Sequence, residues 1–122
     1  MGVRNVEELI AWQLAVEFRD SVYELFKSSR EARRDYQFRA QLWSSSARPV
    51  ANIAEGFYRN RTRVFILFLS YARASLAEAK GWIRDGIKRG YFTTAACASA
   101  LQLEKRCSQA VLKLIQRLED FL

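Results

Sequence analysis

Residues 44–63 read Ser44-Ser45-Ser46-Ala47-Arg48-Pro49-Val50-Ala51-Asn52-Ile53-Ala54-Glu55-Gly56-Phe57-Tyr58-Arg59-Asn60-Arg61-Thr62-Arg63. Extended back to Asp35, a good N-cap residue, the stretch places Phe38, Leu42, Ser46, Pro49, Ile53 and Phe57 on one side at about 100° per residue, which predicts a helix running to about Arg59. Pro49, the only proline in the chain, removes an amide donor and crowds the carbonyl four residues back, so the helix should bend there. The serines at 44–46 stand where their hydroxyls can satisfy freed backbone groups. Ala47, Ala51 and Ala54 keep the middle of the helix thin and read as close packing contacts rather than ligand contacts. On the opposite side Arg48, Asn52, Glu55 and Arg59 follow spacings of four, three and four, a polar stripe in which Glu55 can pair with Arg59. Two readings of Asn52 and Glu55 stand: a recognition surface, or a hydrogen-bond network between helices or subunits. A short carboxamide and a carboxylate set among alanines suit the network better.

Working outward, the segment before it predicts a helix over about Val6–Ser28, with Asn5 as its N-cap and Glu7 and Glu8 near the positive helix end. Ala11, Ala15, Phe18, Val22 and Leu25 recur at spacings of three and four and make one apolar stripe. Trp12, Val16, Tyr23 and Phe26 widen that stripe beyond one core seam. Residues 28–35 form a short charged connection, which with no proline or glycine is open to partial helix. Downstream, Thr62 is the expected N-cap of a helix of about 28 residues, about 42 Å long, that stops at Gly90 after the basic Arg89. Phe65, Phe68, Ala72, Leu76, Ala79 and Ile83 mark its core face, while Val64, Leu67, Tyr71 and Ala74 make a second apolar face. A bundle buries only one of these, so the second is expected to meet another subunit. Thr93 and Thr94 open a last helix to about Phe121, with Cys97, Leu101, Cys107, Val111, Leu114, Leu118 and Phe121 as its core stripe. Gln102, Lys105, Arg106, Gln109, Lys113 and Arg117 read as its solvated side. Short connections between helices of similar length predict an all-α, antiparallel, up-down-up-down four-helix bundle, a single domain over residues 1–122.

The order Asn52-Ile53-Ala54-Glu55-Gly56-Phe57 with Arg59 resembles the signature of a four-helix-bundle family encoded in intervening sequences of bacterial large-subunit ribosomal RNA. Relatives of that family include accessory variability proteins of diversity-generating retroelements. Leu9, Trp12, Gln13, Ala15 and Tyr23 match its opening helix, and Phe65 to Leu69 with Ala72, Ser75, Leu76 and Glu78 match its third. The chain departs from the pattern at Ala47-Arg48-Pro49-Val50, where an arginine stands among residues that relatives keep small, aliphatic or hydroxylated. The resemblance implies a ring-like homopentamer with a central channel, Asn52, Glu55 and Gly56 as structural signature residues, and no catalytic residue set.

Composition bounds the chemistry. A chain of 122 residues with five glycines and one proline has room for one core and too few turn signals for a multi-stranded sheet. The net charge is +7, and fifteen of the twenty basic residues are arginine, whose planar fork grips phosphate and stacks on bases where lysine acts as a solvated point charge. The absence of histidine removes the commonest general base and neutral metal ligand. No glycine-rich phosphate loop occurs. Cys97 and Cys107, about 15 Å apart on one helix, match neither a disulfide nor a zinc site and read as buried small residues. No metal and no cofactor are expected. Nor is an enzyme: Glu78 and Asp85, seven apart on the third helix, read as surface charge. The longest apolar run, residues 64–69, is far short of the roughly 20 residues that span a bilayer, and the N-terminus lacks a signal-peptide core. A cytoplasmic protein without a membrane partner is expected.

Residues 30–63 carry eight arginines against Glu31, Asp35 and Glu55, a net +5 of the total +7. Tyr36, Trp43, Phe57 and Tyr58 interleave with them, as in a surface that holds phosphate and stacks bases, although aromatics at helical spacing also suit a core. The candidate nucleic-acid-binding residues are Arg39, Arg48, Arg59, Arg61 and Arg63. The function these features imply is a non-enzymatic, oligomeric accessory protein that binds RNA or RNA/DNA and no small-molecule substrate. If the chain is a retroelement member, the partner implied is a reverse transcriptase. The alternative is a protein-interaction scaffold whose basic surface meets an acidic protein.

Overall fold

The computed structural model describes residues 2–122. A 3-10 turn, Val6–Glu8, precedes five helices: α1 (Ile10–Ser28), α2 (Arg30–Arg34), α3 (Tyr36–Tyr58), α4 (Thr62–Lys88) and α5 (Thr94–Glu119). Among the described residues there is no strand. α3 packs against α1 and α4, and α5 against α1 and α4, so the four long helices form a square in which chain neighbours are spatial neighbours. The pairs run antiparallel. Val6 at the start of the chain donates its N–H to the Tyr58 hydroxyl at the end of α3, and Asp35 before α3 bonds Arg89 after α4. The core at the centre holds Phe18, Phe38, Leu42, Ile53, Leu69 and Leu76 with almost no solvent contact, each contributing about 2 kcal/mol through burial.

Two glycines set how closely the helices meet. A Cβ on Gly56 of α3 would lie 2.6 Å from the Phe68 Cβ of α4, and one on Gly86 of α4 would lie 2.8 Å from the Phe38 ring of α3. At Gly56 the neighbouring atom is fixed to its own backbone, so any larger residue would have to push α3 and α4 apart, whereas at Gly86 the rings of Phe38 and of Phe92, 2.7 Å away, would have to shift.

The caps explain the boundaries. Asp35 and Thr93 accept from the amides of Phe38 (3.2 Å) and Ala96 (3.0 Å), as expected of N-caps, and Gly90 adopts φ +81° behind α4. At the N-terminus the Glu8 carboxylate accepts from the amides of Arg4 and Asn5, which stabilises a 3-10 turn and delays α1 to Ile10, four residues later than the periodicity predicts. Residues 28–35 are mostly helical: Ser29 caps α2 by accepting from Ala32, 3.1 Å away. Thr62 is not a cap. It is the first residue of α4, and extended Arg61 occupies the cap position without a side-chain bond, after Asn60 turns the chain at φ +61°.

Pro49 sits inside an unbroken α3. The neighbouring serines do not serve the carbonyl it leaves without an amide, that of Ser45. The Ser45 hydroxyl donates to Gln41 and Leu42, and the Ser46 hydroxyl to Trp43. Three assigned core residues are less buried than expected. Phe121 lies beyond the end of α5, lines an open cleft there and is 68% exposed; Phe68 and Leu101 are half-buried. On the second face of α4, Leu67 and Tyr71 are each 47% exposed and Val64 is half-buried, so one chain alone leaves that stripe uncovered.

Candidate nucleic-acid interface

The five candidate arginines do not converge. Arg39 and Arg59 are about 30 Å apart along α3 at 1.5 Å per residue, and Arg48 lies between them. Arg48 is committed to the fold: its guanidinium meets the Glu78 carboxylate of α4 at 3.1 Å and reaches the Ser44 carbonyl at 3.4 Å. Glu78 is therefore the counter-ion of an α3–α4 contact and is not paired in function with Asp85, which bonds Arg89 at 2.6 Å. Arg59 pairs with Glu55 at 2.8 Å, as the spacing of four predicts, and lies 5.4 Å from the centre of the Phe68 ring. Arg39 stacks 5.0 Å over Tyr36 and donates to the Arg33 carbonyl at 3.1 Å. Arg61 and Arg63 are exposed and have no ion-pair partner among the described residues.

Of the signature residues, Gly56 has a packing role, set by the close approach of Phe68. Glu55 is exposed and its partner Arg59 is on its own helix, while Asn52 is half-buried with no side-chain hydrogen bond among the described residues. Within one chain these two do not form the expected inter-helix network.

At the α3–α4 turn the structure gathers residues that the sequence had assigned separately, or in the case of Arg4 not at all. A cleft of about 550 Å³ opens there, with Arg4, Tyr58, Arg61, Phe65 and Phe121 in its walls. Tyr58 is 59% exposed and is held in place by the Val6 amide on its hydroxyl and by the edge of Phe57, 4.9 Å between ring centres. Exposed rings beside unpaired guanidinium groups offer base stacking and phosphate contacts in one place. Arg4 and Phe121 come from the two ends of the described chain; no helical periodicity reaches Arg4, and the periodicity of the last helix assigned Phe121 to the core instead. Both join the site because the antiparallel bundle brings its first and last turns to the α3–α4 end.

Two further groups are polar but differ in kind. At the opposite end, Asp35 accepts from the Tyr91 hydroxyl (2.7 Å), the Phe38 amide and Arg89 (2.9 Å), and these bonds hold its carboxyl below the usual value. Glu104 of α5, also unanticipated, is buried 4.0 Å from Lys80; burial pushes its carboxyl up, opposed by Lys80, Arg84 and Arg73. The cysteines are buried as expected. Burial, with Glu104 nearby, pushes the Cys107 thiol up to about 12. Among the described residues no three His, Cys, Asp or Glu side chains lie together as metal ligands, and no helix is long and apolar enough to cross a membrane.

A comparison with curated proteins gives no match. The sequence model of the family described as 23S rRNA-intervening sequence protein matches residues 7–115, from the 3-10 turn to the last turns of α5 and including the Asn52–Phe57 signature, and the chain belongs to that family.

Proposed function

We propose that this protein is a non-catalytic, oligomeric accessory protein that binds single-stranded RNA or RNA/DNA in the cytoplasm. The observation that carries the reading is the α3–α4 turn, where unpaired Arg61 lines a cleft with Arg4 and the exposed rings of Tyr58 and Phe121, and exposed, unpaired Arg63 follows two residues later on α4. Membership of a family named for ribosomal RNA intervening sequences is compatible with it. Assembly with further copies is supported by the uncovered stripe of Leu67 and Tyr71 on α4, an apolar surface of the kind that marks a protein contact, and five subunits is the number the family resemblance implies. A reverse transcriptase is the proposed protein partner if the gene lies in a retroelement.

The test is an anisotropy titration of unstructured RNA at several salt concentrations. Affinity should fall steeply with salt as counterions are released. Replacing Arg59, Arg61 and Arg63 together by Gln should weaken binding across sequences and flatten the salt slope, while replacing Lys105, Lys113 and Arg117 on α5 should do much less. Equal losses would leave only general charge, and no binding at low salt would favour a scaffold for an acidic protein. Light scattering at micromolar concentration should show an oligomer; a monomer there refutes the assembly.

A further inference from the structure

A second cleft, of about 430 Å³, lies near the other end of α3, where the last turns of α1 face the first turns of α3 across α2. Its aromatic wall is Tyr23 and Trp43, edge to face with ring centres 5.8 Å apart, and Trp43 remains 39% exposed. Its remaining walls include Phe26, Lys27, Arg33 and Arg39, with no acidic residue among the lining. Both guanidinium groups are fixed in advance. Arg33 donates to the carbonyls of Phe26 and Lys27 at 2.7 and 2.8 Å, closing the last turn of α1, and Arg39 donates to the Arg33 carbonyl at 3.1 Å. A guanidinium carries five N–H donors, so each keeps donors free for a ligand while its rotamer is already set. Lys27 sits 5.0 Å over the Tyr23 ring and is partly neutralised by Glu24 at 3.2 Å, so the two arginines carry the cleft's free charge.

An aromatic wall beside two restrained guanidinium groups fits a planar base joined to a phosphate. An aliphatic ligand would leave the charge unmet, and an acidic peptide would leave the rings unmet. We propose that this cleft takes one unpaired nucleotide of a bound strand, its base against Trp43 and Tyr23 and its phosphate on Arg39 and Arg33. This rests on the nucleic-acid reading above and adds to it a second contact point, remote from Arg59, Arg61 and Arg63.

The experiment titrates the full chain with an oligouridine of about ten nucleotides and with an abasic strand of the same length, at low salt. Tryptophan fluorescence should change with the base-bearing strand only, and that change should vanish in Trp43→Leu. The same variant should bind oligouridine about tenfold more weakly, the loss of one stacked base, and bind the abasic strand as before. Arg39→Gln, at an exposed position, should weaken both strands and lower the salt slope by about one. Oligouridine binding by Trp43→Leu within about twofold of the unmodified chain overturns the cleft while leaving the general reading intact. Failure of the unmodified chain to bind either strand overturns both. A smaller sedimenting species for unliganded Trp43→Leu would make the cleft a subunit contact, and overturns it too.

Discussion

Substituting Gly56 by Ala sets two effects of opposite sign against each other. A helix-interior glycine gives way to the best helix former, a gain of about 1 kcal/mol. The new methyl group, however, would stand 2.6 Å from the Phe68 Cβ and 3.1 Å from the Phe65 ring. A Cβ is fixed to its backbone and cannot swing aside, so α3 and α4 must part by about 1 Å, forfeiting much of the dispersion between the atoms along that seam. Overpacking costs about 1–3 kcal/mol, and the immobile partner places this case at the upper end. The net expectation is destabilisation by about 2 kcal/mol, or a melting temperature about 8 °C lower for a domain of this size. Gly81 is the control: it is exposed on α4 with nothing within 4 Å of a built Cβ, so Gly81→Ala should stabilise by about 1 kcal/mol. Both are read by thermal or urea denaturation at one protein concentration. A Gly56→Ala chain as stable as the unmodified one would refute the claim that this glycine sets the helix spacing.

The carboxyl of Asp35 is held below its ordinary value of 3.8, so its contribution is complete above that pH and is lost as the pH falls through the folded value. Melting temperature should therefore drop faster below about pH 4 in the unmodified chain than in Asp35→Asn, and parallel curves would refute the network's role. Glu104 has the reverse sign. Its carboxyl is pushed above 4.5 by burial, so the folded state disfavours the ionised form and loses stability as pH rises through the folded value. Glu104→Gln should raise the melting temperature at pH 7 and have little effect at pH 4, and a destabilised variant at pH 7 would mean the carboxylate has a partner beyond Lys80.

The helices were legible because each cap and stop is local. Asp35, Thr93 and Gly90 act through bonds or dihedrals within a few residues, and the sequence places them within a turn of where they stand. Thr62 misled because a good cap residue also tolerates the first helical position, and Asn60 in the left-handed region moved the cap back to Arg61. The basic character of residues 30–63 was readable, but its division was not. Which arginine is free depends on how α3 is rotated against α4, and that rotation gives Arg48 to Glu78 while leaving Arg61 and Arg63 unpaired. The contribution of Arg4 and Phe121 was illegible for a different reason, since only the antiparallel closure brings the chain's ends beside Tyr58.

The bond from Arg89 to Asp35 spans 54 residues and closes the base of the α3–α4 pair, Arg48 and Glu78 tie its middle, and Gly56 against Phe68 seals its tip. Those ties need nothing from α1 or α5. The α3–α4 hairpin can therefore assemble from one contiguous stretch, with its loop-closure entropy offset along its whole length, before the outer helices dock. Folding of this chain is expected to begin at its centre, with φ-values high in α3 and α4 and low at the two ends that later form the cleft around Tyr58.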